Sequence, residues 1–99
     1  MRAKALLLLL SCILISRTLH ARPITIGISL GLTGSYSLTS TKQKNAYTLF
    51  EEDINKKGGI LGRQVSFIIL DNGSDKETAI MQYETLITEG KVDFVIGPY

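Results

Sequence analysis

Three apolar runs with strand character, separated by two stretches of helical spacing, limit this chain to few architectures. The first, "PITIGISL" (residues 23–30), alternates Ile24, Ile26, Ile28 and Leu30 with Thr25, Gly27 and Ser29, which is the period of two expected of a strand. Gly27 and Ser29 are small enough for a helix to pack closely on their face. "VSFIIL" (65–70) is almost unbroken in its apolarity, the pattern of a strand covered on both sides. "VDFVI" (92–96) is a third run. Between them Ala46, Tyr47, Phe50 and Ile54 follow helical spacing, and so do Ala79, Ile80, Tyr83, Leu86 and Ile87. Lys42, Lys44, Glu51, Glu52 and Lys56 fall largely elsewhere on the first helix and read as its solvated face.

Strand, helix, strand, helix, strand with short right-handed connections predicts an α/β fold: a parallel βαβαβ unit with strand order 2-1-3. That order puts a topological switch point between the first and third strands. Ligands of open α/β sheets sit there, outside the carboxyl ends of the strands. The segments at that place are "GLTGSYSLTS" (31–40) and "GPY" (97–99). Seven of the nine residues 33–41 carry a hydroxyl, and they precede a helix whose positive end suits a carboxylate or phosphate.

The punctuation is explicit. In "INKKGGILGR" (54–63), Gly58 or Gly59 takes the left-handed position that closes the first helix, with Lys56 and Lys57 at the negative end of its dipole. Gly90 stops the second helix. Ser40 with Gln43, and Ser74 with Glu77, have capping-box spacing, which predicts helix starts near Thr41 and just after Ser74.

Residues 1–21 stand apart. Arg2 and Lys4, an apolar run from Ala5 to Ile15 and a small residue at Ala21 have the order of a secretory signal cleaved after Ala21. The apolar run is shorter than the roughly 20 residues a membrane span needs. An alternative route lies in "LLSC", where Cys12 has the setting of a lipid-modified cysteine. The chain has eleven Lys and Arg, and losing Arg2, Lys4 and Arg17 with the leader leaves eight against nine acidic residues. This balance does not support a nucleic-acid binder. The one cysteine and the one histidine, Cys12 and His20, leave too, and with them any thiol nucleophile, imidazole base or disulfide.

The remaining chemistry is sparse. "GLTG" lacks the spacing of a dinucleotide fingerprint, and no phosphate-loop lysine follows, so Asp71 at the end of the second strand carries no nucleotide assignment alone. "DNGSD" (71–75) has half the look of a calcium loop but no distal glutamate at the required spacing. Asx-turn and helix-cap work accounts for it better. Glu51, Glu52 and Asp53 are consecutive on a helix and diverge, so they form no acid/base pair. No catalytic residues, metal site or cofactor are expected.

"ITIGISLGLTGSYS", "EEDINKKGGILGR", "DNGSDKETA" and "VDFVIGPY", in this order across residues 23–99, resemble the opening of the branched-chain amino acid binding proteins of ABC transporters. These are type I periplasmic binding proteins, a fold shared with receptor ectodomains and amide sensors. The most specific stretch is Ile54-Asn55-x-x-Gly58-Gly59-Ile60-x-Gly62. Ser35 departs from the proline common in the family, and no proline follows Asp75.

The resemblance implies that residues 22–99 are the start of lobe 1 of a two-lobed protein, truncated before lobe 2. Its implied work is to close around an amino acid or amide in the periplasm and present it to a membrane permease. A receptor or sensor ectodomain on the same fold is the alternative. It further implies that Ile60 tucks inward and Gly62 turns the chain. The solute's charged groups would be gripped by a hydroxyl-rich loop following "GPY". Within this chain the implied ligand-side residues are Tyr36, Ser37, Thr39, Ser40 and Tyr99. Lipid anchoring through Cys12 is the alternative to a freely periplasmic protein.

Overall fold

A computed structural model describes residues 21–98. Residues 1–20, with Cys12 and His20, and Tyr99 lie outside the described residues. β1 (Ile24–Leu30), β2 (Val65–Asp71) and β3 (Phe94–Ile96) form one parallel sheet in the order β2-β1-β3. Two helices connect them, α1 (Ser37–Lys56) and α2 (Lys76–Thr88). The expected α/β unit and its strand order are therefore present. β1 pairs with β2 from Ile24–Val65 to Leu30–Asp71, and with β3 from Ile26–Phe94 to Ile28–Ile96.

The core follows from β1 being flanked on both sides. Ile28 and Leu30 are fully buried, and Val65 and Leu86 nearly so. On the face of Gly27, α2 comes close enough that an added Cβ would lie 3.0 Å from Leu86 Cδ1. The small residue is what lets the helix in.

The first helix starts earlier than the Ser40–Gln43 spacing predicts. α1 begins at Ser37, whose N–H donates to Gly34 O at 3.2 Å, and Ser40 N donates to Tyr36 O at 2.9 Å. Ser40 is thus inside the first turn and buried, and both Ser40 Oγ and Gln43 Oε1 lack a hydrogen-bond partner among the described residues. No capping box forms. The reason is a distant contact: the Ser74 hydroxyl accepts from Tyr36 N at 3.0 Å and fixes the entry to the helix one turn upstream. Ser74 in turn is not the cap of α2. Asp75 is, with its carboxylate accepting from Thr78 N at 2.9 Å.

α1 lies on β2 through Tyr47, which stacks on Phe67 at 5.3 Å, and Phe50, which meets the same ring edge-on at 6.2 Å. Ala46 is exposed, and Phe50 half so. Glu51 is not on a solvated face, because its Oε2 accepts from Phe67 N at 2.8 Å. The helix side chains thereby close the free edge of β2, whose unpaired backbone groups would otherwise template another strand.

Past α1, Gly58, Gly59 and Gly62 all have positive φ, and so does Leu61. Gly59 N donates to Ile54 O at 2.8 Å, closing the helix as the paired glycines predict. Ile60 is not tucked inward. Its backbone exchanges two hydrogen bonds with Arg63, at 2.8 and 2.9 Å, and its side chain remains 39% exposed. β3 is also shorter than "VDFVI" predicts. Val92 N caps α2 through Leu86 O, and the Asp93 carboxylate accepts from Thr25 N at 2.9 Å, so the regular ladder starts only at Phe94.

Candidate functional site

The carboxyl ends of the three strands converge, and the loops that leave β1 and β2 clasp each other there. An added Cβ on Gly34 would meet Gly73 O at 2.7 Å, so only glycine permits this approach. Ser74, at φ +63°, donates its hydroxyl to Thr33 O at 2.6 Å while accepting from Tyr36 N. Asp71 completes the clasp. Its carboxylate accepts from Gly73 N at 2.9 Å and from the Thr33 hydroxyl at 2.8 Å. These bonds, with Gly73 foremost, hold its pKa below the ordinary 3.8. Asp71 is therefore committed to its loop. The Asx turn at Asn72, whose Oδ1 accepts from Ser74 N at 2.8 Å, agrees with the sequence reading of "DNGSD".

Beside the clasp lies a cleft of about 490 Å³. Gly31 and Tyr36 from the first loop, Ser74 from the second, Ile80 and Tyr83 from α2, and Pro98 after β3 are among its walls. Asp75 and Lys76 also line it, at the start of α2. Hydrogen bonds to the Thr78 hydroxyl and N–H keep Asp75 below the usual carboxylate range.

The floor is a connected set of polar side chains. Asn72 Nδ2 donates to the fully buried Ser29 Oγ at 2.8 Å, which itself donates to Gln82 Oε1 at 2.8 Å. Gln82 Nε2 reaches back to Asp71 O at 2.8 Å. Next to it the Tyr83 hydroxyl accepts from Ser29 N at 3.2 Å and makes a short donation to Ile96 O. Burial pushes the Tyr83 phenol above its ordinary pKa of 10.0, so it stays protonated and donating at neutral pH.

The residues implied for the ligand side do not converge. Tyr36 lines the cleft and is half exposed. Ser37 and Thr39 sit partly buried in the first turn of α1, and Ser40 is sealed beneath it. Tyr99 lies outside the described residues. Ser74, Gln82 and Tyr83 are polar groups of this region that the sequence reading does not assign to the site: it takes Ser74 as a helix cap and Tyr83 as part of an apolar stripe, and passes over Gln82. Tyr83 carried a usable signal: a phenol on an otherwise apolar helical stripe must find a partner for its hydroxyl when buried. Among the described residues no group of three or more His, Cys, Asp or Glu could hold a metal ion, and no helix is long and apolar enough to cross a membrane.

The family model described as Periplasmic binding protein matches residues 23–99. This chain belongs to the periplasmic binding protein family. Among its relatives is the Leu/Ile/Val-binding protein BraC3 of Rhizobium johnstonii, 33% identical over 75 residues, covering 76% of this chain and 20% of the relative. A chemotactic signal transduction system substrate-binding protein, BasB of Halobacterium salinarum, is 32% identical over 79 residues, covering 78% and 19%. In three dimensions the chain superposes on the branched-chain amino acid transporter substrate-binding protein LivJ of Streptococcus pneumoniae in complex with isoleucine. The TM-score is 0.73 at 33% identity, covering 77% of this chain and 22% of that one. The fold is that of type I periplasmic binding proteins. The periplasmic binding protein chain described here spans about a fifth of the length of these curated relatives.

Proposed function

We propose that this chain is the opening of lobe 1 of a solute-binding component of an ABC transporter. In this reading the complete two-lobed protein captures an amino acid of branched-chain type, or a related amide, in the periplasm. It then delivers the solute to a membrane permease; it is a binder and not an enzyme, and it needs no cofactor. One observation carries the reading: a cleft at the carboxyl ends of β1 and β3 in a chain whose relatives include a Leu/Ile/Val-binding protein and an isoleucine complex. The cleft's Ile80 beside the hydroxyls of Tyr36 and Ser74 matches a small solute with one apolar and one polar end. Tyr36 is the best placed of the ligand-side residues. In this reading Ser37 and Thr39 belong with Tyr36 to the lip of the complete cleft, Ser40 supports it from below, and Tyr99 leads on in sequence to the main site.

Calorimetric titration of the complete protein with leucine, isoleucine, valine, alanine and an aliphatic amide tests this. Saturable binding of at least one is expected. Heat from none of them would remove the amino acid and amide reading. A sensor role is the second reading, favoured by the likeness to a chemotactic substrate-binding protein. Loss of uptake on deleting the gene supports the transporter, whereas loss of chemotaxis with uptake intact supports the sensor.

A further inference from the structure

We infer that Tyr83 is a positioning residue, whose hydroxyl ties the carboxyl ends of β1 and β3 to α2 and so shapes the solute cleft from behind. The inference rests on the proposed solute-binding function and deepens it. The β1–β3 register ends at Ile28–Ile96. One residue further along β1, the Tyr83 oxygen bonds both strands at once, accepting from Ser29 N and donating to Ile96 O. One hydroxyl bonded to an N–H of β1 and a carbonyl of β3 fixes α2 to both strands where the order of the sheet reverses.

The same side chain is a wall of the cleft, and Ile96 is two residues before Pro98, another wall. The neighbouring Gln82 fixes the Ser29 hydroxyl, and Asn72 ties that hydroxyl to the end of β2. Two successive residues of α2 thus hold both the backbone and the side chain of one buried serine. Shifts of α2 or of residue 83 are transmitted directly to the segment after β3. Removing only the phenolic oxygen leaves the ring's packing in place but releases the last rung of the β1–β3 pairing from α2. The strand ends that shape the cleft are then held less firmly.

The test uses the complete two-lobed protein with L-isoleucine and L-leucine as probes. Tyr83→Phe is compared with Leu86→Val, which thins the packing on Gly27 at mid-sheet without touching the brace. The expected result for Tyr83→Phe is a rise in Kd of about tenfold, well below its melting temperature, with faster amide exchange at Ser29 and Gly97. Leu86→Val should lower the melting temperature and leave Kd unchanged. A Kd for Tyr83→Phe within a factor of about two of the parent overturns the inference, as does an equal weakening in Leu86→Val. If the parent binds neither probe, the branched-chain reading fails on its own. The brace is then judged by exchange alone: selective loss of protection at Ser29 in Tyr83→Phe supports it, and unchanged protection overturns it.

Discussion

Asn55, near the end of α1, holds both backbone groups of Val65: its Nδ2 donates to Val65 O and its Oδ1 accepts from Val65 N, each at 2.8 Å. This two-point contact is the counterpart of a strand pairing, made by a helix side chain at the first residue of the edge strand β2. Glu51, one turn earlier, does the same for Phe67 N. Val65 is almost fully buried, so the two groups have little water to turn to.

Asn55→Ala is therefore expected to destabilise the complete protein by about 1–3 kcal/mol, the cost of leaving buried backbone groups unpaired. Asn55→Asp should cost at least as much, because a carboxylate facing Val65 O cannot donate. Urea unfolding of both variants is the check. A change under about 0.5 kcal/mol for Asn55→Ala would mean that water replaces the side chain at this edge.

The paired glycines after α1 should respond differently from each other. Gly58 and Gly59 both have positive φ, at 100° and 81°. An added Cβ on Gly58 meets nothing within 4 Å, whereas on Gly59 it would come within 2.0 Å of Arg63 O. Gly58→Ala is expected to cost about 1–2 kcal/mol, the left-handed penalty alone. Gly59→Ala should cost clearly more, since backbone must move as well. Thermal melts of the two variants side by side decide it, and equal losses would contradict the geometry.

These two regions also show what the sequence could and could not reveal. The strands, their order and the glycine stop of α1 are local or periodic features, and Ile24 to Leu30 and Gly58-Gly59 display them in a few adjacent residues. The start of α1 was not legible, because the Ser74 hydroxyl that captures Tyr36 N is 38 residues away and outcompetes a local Ser40 cap. Glu51 reads as solvated for a similar reason: periodicity records which side chains are apolar, not which backbone N–H groups lack partners. The cleft's place at the strand ends followed from topology. Its polar floor did not, since Ser29, Asn72, Gln82 and Tyr83 come from three separate elements.

Asp93 ties the far end of the sheet and makes it acid-sensitive. Its carboxylate accepts from Thr25 N and from the Thr25 hydroxyl, and pairs with Arg22 at 2.6 Å. The Thr25 N–H above all, then the Thr25 hydroxyl and the charges of Arg22 and Arg63, put its pKa below the ordinary 3.8. A depressed folded pKa means that this contribution is complete above the unfolded value and disappears as pH falls through the folded one. Asp71 and Asp75 are depressed too, so the same window applies to them. The melting temperature should hold steady above about pH 4 and drop below it. Asp93→Asn should start lower at neutral pH and fall less steeply in acid. Parallel curves for parent and variant would show that Asp93 is not among the groups responsible.

The same tie bears on where the mature chain begins. Arg22 is held by Asp93, its carbonyl accepts from Arg63 Nε at 2.8 Å, and β1 starts two residues later at Ile24. Cleavage after Ala21, as the leader's pattern proposes, would leave every one of these contacts in place and nothing extra before them. N-terminal sequencing of the exported protein is expected to read Arg-Pro-Ile. Ala21→Leu should block that cut, because a small residue is required there, and leave a precursor that retains the leader. A start at Ile24 would remove the Arg22 tie, and a lipid-bearing Cys12 at the N-terminus would establish the membrane-anchored route instead. Mass spectrometry of the intact exported chain distinguishes all three, since each start leaves a different mass.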